Sequence, residues 1–157
     1  MCSLLEHPNL LKFYGSSTRP PIIVTEYLEG ESLQQLLQEE EYFSMDIRLR
    51  IMVDIAKGLK YMHDQIVPIG HFDIKTPNIM VLNRDPQYDI CAKIIDFGTA
   101  SFCAIPIQKR DVDNPIWLAP GIFFVFLTLS EILEGRGYDE KADIYSYGIF
   151  FLRLFSN

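Results

Sequence analysis

Apolar and polar positions change period several times along this chain, and each change predicts an element. Residues 10–16 (LLKFYGS) and 21–28 (PIIVTEYL) carry the β-branched and aromatic character of two strands, with a Ser/Thr/Arg/Pro turn between them. Glu29 to Ser32 reads as a turn and helix cap, and Leu33, Leu36 and Leu37 then fall on one helical stripe. A longer helix is expected from about Met45 to Asp64. Its two apolar sets, Ile51/Ile55/Leu59/Met62 and Leu49/Met52/Ala56, predict burial on most sides. Residues 66–72, 78–83 and 91–95 are short apolar runs that suit small β-ribbons. Residues 98–120 follow no period and read as one long loop, which in a compact domain is usually functional. Ala142 to Phe155 is apolar almost all round and predicts a core helix. The pattern contains no repeat, linker or low-complexity tract.

Composition narrows the class. A chain of 157 residues with 48% hydrophobic and 22% charged residues can bury a core and is not disordered. Its net charge of -7 argues against nucleic acid as a partner, so any phosphate must be handled by a cation or by local lysines. Cys2, Cys91 and Cys103 show no CxxC spacing, which points to free thiols in a reducing, cytoplasmic setting. The N-terminal residues lack the pattern of a secretory signal. The apolar run from Ile122 to Leu129 is far shorter than the ~20 residues a membrane helix needs, so no membrane partner is expected.

Two polar clusters interrupt apolar surroundings: His71-Phe72-Asp73-Ile74-Lys75-Thr76-Pro77-Asn78, and Asp96-Phe97-Gly98 after the run Ala92 to Ile95. Burying unpaired charge is expensive, so these residues need a function. Paired Asp and Asn oxygens on adjacent ribbons offer hard ligands for Mg²⁺, which takes one or two carboxylates plus phosphates and water. Asp73 and Lys75 add a base and a cation. Together these are the parts of an in-line phosphoryl transfer.

The spacing resembles the signature of eukaryotic protein kinases. HFDIKTPN resembles the catalytic loop H-R-D-[IL]-K-x-x-N, and KIIDFG resembles the strand that ends in D-F-G. HPNLLKFYG is similar to the lead into the fourth strand, IIVTEYLEGESL to the fifth strand and hinge, NPIWLAP to the docking end of the activation segment, and KADIYSYG to the central helix of the large lobe. The resemblance implies an α+β protein-kinase-like fold: residues 1–28 as the end of the small lobe and hinge, and 29–157 as a mostly helical large lobe.

It further implies ATP and Mg²⁺ as cofactors and a protein as substrate. Asp73 would be the catalytic base and Lys75 the cation at the moving phosphate. Asn78 and Asp96 would hold the metal. Thr25 would be the gatekeeper, with the backbone of Glu26 and Leu28 and the side chain of Met80 around adenine. Asp143 would anchor the catalytic-loop backbone, and His71 would be structural, stacked with Phe97 and Phe13. Lys75 two residues after Asp73 is the serine/threonine form, and the flanking YMHDQIVPI and NPIWLAP resemble the tyrosine-kinase-like group. His7 and His63 read as turn and helix-surface residues without chemistry, and Thr99 and Ser101 as loop residues first and phosphorylation sites second.

The sequence also departs from that pattern. Residues 1–157 contain no G-x-G-x-x-G and no V-A-I-K equivalent, so the resemblance implies a domain incomplete at both ends. Phe72 replaces the usual Arg, which predicts independence from an activation-loop phosphate. Gly121 to Ser130 splits Ala119-Pro120 from Glu131 with an apolar run that reads as an unspliced intron rather than a functional insert. A catalytically inactive, pseudokinase-like binding or regulatory fragment is the alternative function.

Overall fold

Ser32 begins the first helix with a reciprocal capping box. Its Oγ accepts from the Gln35 N–H at 3.3 Å, while the Gln35 side chain accepts from the Ser32 N–H at 3.1 Å. Leu33, Leu36 and Leu37 on that helix are buried, as their spacing predicts. The computed structural model describes residues 5–39, 43–104 and 139–156. NPIWLAP, the 121–130 segment, Glu131 and Cys2 lie outside them. The elements are β1 (Phe13–Thr18), β2 (Pro21–Thr25), β3 (Glu31–Ser32), α1 (Leu33–Gln38), α2 (Met45–His63), β4 (Ile69–Gly70), a 3₁₀ turn (Thr76–Asn78), β5 (Ile79–Val81), β6 (Ala92–Ile94), β7 (Ser101–Phe102) and α3 (Lys141–Phe155). The fold is α+β. It divides into two units, one of Met1–Tyr61 with Thr76–Phe97, the other of Met62–Lys75 with Gly98–Asn157.

In the first unit β1 and β2 pair antiparallel across a cis Arg19–Pro20 bond, and β3, β5 and β6 form a second antiparallel sheet. The His7-Pro8-Asn9 turn delivers the chain to β6. The Asn9 side chain donates to the Ala92 carbonyl at 3.0 Å, and backbone bonds join Asn9 and Leu11 to Ile94 at 2.9 Å. Gly58 on α2 sits where this strand passes, and a Cβ there would lie 3.0 Å from Leu10 and 3.1 Å from Ile94. Glu26 ties the β2 end to its neighbours: one carboxylate oxygen accepts from the Lys12 N–H and from Lys93 Nζ, each at 2.6 Å. Asp54 is fully buried on α2 because its Oδ2 caps the backbone N–H groups of Cys91 and Ala92 at 2.7 and 3.1 Å. Arg50 Nε stands 3.3 Å from its other oxygen, near enough for charge though not aligned as a hydrogen bond.

The wide apolar face expected of α2 is only partly correct. Ile51, Ile55, Leu59 and Met62 are buried, as is Met52, but Leu49 and Ala56 are exposed. Asp54 and Gly58 fill buried positions that an apolar count ignores, so the buried stripe is rotated away from Leu49.

In the second unit β4 pairs antiparallel with β7, Ile69 opposite Phe102 and Gly70 opposite Ser101. This strand corrects the expectation of structureless chain from residue 98: the pairing partner supplies order that the local sequence does not encode. α3 likewise differs from the expected all-round core helix. Ala142, Asp143, Ser146, Phe150 and Leu154 are buried, whereas Ile144 and Leu152 are 55% and 62% exposed. The buried side is marked by small and polar residues as much as by apolar ones.

Candidate active site

Asp143, in the first turn of α3, is fully buried and spends its charge on backbone. Its Oδ2 accepts from the His71 N–H at 2.7 Å and its Oδ1 from the Phe72 N–H at 2.6 Å. Phe72 needs that hold, because it has φ 62°, a left-handed conformation that costs a bulky residue roughly 1–2 kcal/mol. The Phe72 ring is 1% exposed and lies against Gly70, where any side chain would run into it. An aromatic residue at this position therefore acts as a core plug, in place of a surface guanidinium.

The left-handed residue turns the chain so that Asp73 follows directly. The Asp73 N–H donates to Nδ1 of the buried His71 ring at 3.3 Å, which makes Nδ1 the acceptor nitrogen. Asp73 Oδ2 then stands 2.9 Å from Lys75 Nζ, and the two side chains are 23% and 21% exposed. A carboxylate and an ammonium are thus presented together on a backbone fixed from behind.

Asn78 and Asp96 are brought together within the first unit. Asn78 ends the 3₁₀ turn and enters β5, whose Ile79 pairs with Ile94 of β6. One step further on, the Ile95 N–H donates to the Asn78 carbonyl at 2.9 Å. Asn78 is therefore held beside the residue that precedes Asp96. Asp96 is exposed with φ 61°, at the point where β6 ends. Thr76 supports this corner through a 2.5 Å hydrogen bond to Gln34 of α1. Among the described residues no three His, Cys, Asp or Glu side chains converge on a metal position. An Asn–Asp pair fits a Mg²⁺ ion that draws its remaining ligands from phosphate and water.

Of the residues expected around adenine, Thr25 and Glu26 touch each other at the end of β2. Thr25 Oγ1 donates to the Glu26 carbonyl at 3.1 Å, and the Glu26 N–H donates to the Lys12 carbonyl at 2.9 Å. Leu28 is half-buried in the segment that follows, and Met80 is half-buried in β5 opposite Lys93. Asp73 with Lys75 belongs to one unit, and Thr25, Glu26, Leu28, Met80, Asn78 and Asp96 to the other.

One functional neighbour was missed. His63 is not a surface residue: its side chain is 14% exposed and Nε2 stands 3.0 Å from Asp143 Oδ2. The signal was present, since His63 lies four residues beyond the buried Leu59 and continues its stripe.

Residues 1–157 match the protein kinase domain family over the whole chain. The chain is 37% identical over 150 residues to a probable serine/threonine-protein kinase, qkgA, of Dictyostelium discoideum, covering 94% of this chain and 9% of that protein. It is 36% identical to the serine/threonine-protein kinase CTR1 of Arabidopsis thaliana, covering 96% of this chain and 17% of that protein. It is 34% identical to the human dual specificity testis-specific protein kinase 1, again over 96% of this chain and 23% of the relative. The chain thus spans less than a quarter of the length of these relatives. By the match over residues 1–157 and these similarities, this chain belongs to the protein kinase family.

Proposed function

We propose that the chain carries out ATP-dependent transfer of a γ-phosphate to serine or threonine hydroxyls of a protein substrate. The observation that carries this reading is the Asp143 clamp on the 71–72 backbone, which presents Asp73 and Lys75 as an adjacent base and cation. Asp73 orients the substrate hydroxyl and takes its proton on a carboxylate oxygen. Lys75 Nζ meets the negative charge that gathers on the moving phosphoryl group. Asn78 and Asp96 would hold Mg²⁺, which would supply positive charge to the nucleotide phosphates. Thr25, Glu26, Leu28 and Met80 border the adenine position.

The serine/threonine preference draws on Lys75 and on the names of the similar kinases. A reducing, cytoplasmic setting fits the free thiols of Cys91 and Cys103, and among the described residues no helix is long and apolar enough to cross a membrane. The test is phosphate transfer from labelled ATP by the complete native polypeptide. Asp73→Asn is expected to slow transfer at least ~10²-fold, with label on Ser and Thr. Equal rates for the two proteins would remove Asp73 from the mechanism, and an inactive wild type would favour the pseudokinase-like reading.

A further inference from the structure

The peptide unit between His71 and Phe72 is held at both of its polar ends. Its N–H donates to Asp143 Oδ1 at 2.6 Å, and its carbonyl accepts from Thr99 Oγ1 at 2.9 Å. Thr99 follows Asp96-Phe97-Gly98 in the chain, is half-buried, and lies in the same unit as His71, Asp73 and Asp143.

The geometry gives this second bond a specific task. A residue with positive φ relaxes most simply by rotating the peptide plane before it, which exchanges the directions of the N–H and the carbonyl. For Phe72, at φ 62°, that plane is the 71–72 unit. Asp143 as a carboxylate only accepts, so it rejects a carbonyl turned toward it. Thr99 supplies the donor on the opposite side, and a flipped plane would leave its hydroxyl without the His71 carbonyl. Asp73 is the next residue, and its own N–H donates to the His71 ring at 3.3 Å. The plane that Asp143 and Thr99 hold between them thus fixes the backbone from which the Asp73 side chain departs toward Lys75.

We propose that Thr99 is a positioning residue for Asp73: its hydroxyl locks the 71–72 peptide plane and so aims the catalytic carboxylate. This rests on the phosphotransfer reading given above. In this role Thr99 acts through Asp73, on the rate of the chemical step.

The test compares Thr99→Val, which keeps the shape and loses the donor, with Thr99→Ser, which keeps the donor. Both are made in the complete native polypeptide. Thr99→Val is expected to lower kcat about 10- to 100-fold with KM for ATP and for a peptide substrate unchanged, the size of loss that misplacing a catalytic group produces. Thr99→Ser is expected to stay within about 3-fold of wild type, since the hydroxyl is retained. Amide hydrogen exchange gives a readout that does not need activity: the Phe72 amide should exchange faster in Thr99→Val and at the wild-type rate in Thr99→Ser. Wild-type kcat and exchange in Thr99→Val would overturn the proposal. So would a Thr99→Ser as impaired as Thr99→Val, or a slower Thr99→Val with unchanged Phe72 exchange. A wild type that transfers no phosphate would sink the phosphotransfer reading instead, and exchange alone would then decide whether Thr99 holds the plane.

Discussion

His63 Nε2 and Asp143 Oδ2 stand 3.0 Å apart, so the carboxylate oxygen that holds the His71 N–H also bonds the imidazole at the end of α2. Asp143 thereby serves three groups with two oxygens. Removing the carboxylate takes this acceptor from two buried backbone donors, at about 1–3 kcal/mol for each group. Asp143→Ala is expected to lower unfolding free energy by about 2–5 kcal/mol. His63→Ala, which leaves both backbone bonds in place, should cost about 1 kcal/mol. Urea titration of the two variants checks the order, and a larger loss for His63→Ala would contradict it.

Gly70 is required by the ring packed on it. A methyl group at this position meets the ring of Phe72, which is itself buried. Gly70→Ala is expected to destabilise by about 1–3 kcal/mol, the usual penalty of overpacking. Phe72→Leu in the same molecule should recover part of that loss. Additive losses in the double variant would show that the two residues do not share the space.

His7 makes stability depend on pH. Burial, with help from the Lys57 cation and against the pull of Asp54, holds its pKa below the ordinary 6.5. Its Nδ1 also accepts the Asn9 N–H at 3.1 Å, and its ring stacks on Tyr61 at 5.0 Å. In the unfolded chain His7 takes up a proton near pH 6.5, while the folded chain resists until lower pH. The contribution is therefore complete above pH 6.5 and is lost as pH falls through 6.5 toward the folded pKa. Unfolding free energy measured from pH 7.5 down to about 5.5 should fall more steeply for wild type than for His7→Asn. Parallel profiles would exclude His7 as the cause.

Asp96 should govern what nucleotide binding residues 1–157 possess. In the proposed reading Asn78 and Asp96 would supply the metal ligands, but residues 1–157 hold no glycine-rich loop and no second phosphate-clamping lysine. Mg-ATP is expected to bind at about 1 mM or weaker, near -4 kcal/mol, and Asp96→Ala to abolish binding. Calorimetric titration of residues 1–157 is the check. Micromolar affinity would contradict the expectation.

Local elements were legible in the sequence because they depend on neighbours in the chain. The Ser32 cap and the Leu33/Leu36/Leu37 stripe need only helical spacing, and the α2 bounds need only its apolar period. The groups suited to phosphoryl transfer were legible as residue types, and kinase resemblance assigned their roles, including the anchoring by Asp143. What the tertiary structure decided are relationships that no local pattern contains. Asp143 reaches back to residues 71 and 72, Thr99 reaches the other side of the same peptide plane, and His63 completes the cluster. Ser101 and Phe102 become a strand only because Ile69 and Gly70 lie opposite. The exposure of Leu49 and Leu152 shows the same limit: periodicity identifies a surface that could be buried, while the groups packed against it decide which part is. Hydrogen bonds and burial are set by distance in space, and the chain must first fold back on itself to create that distance.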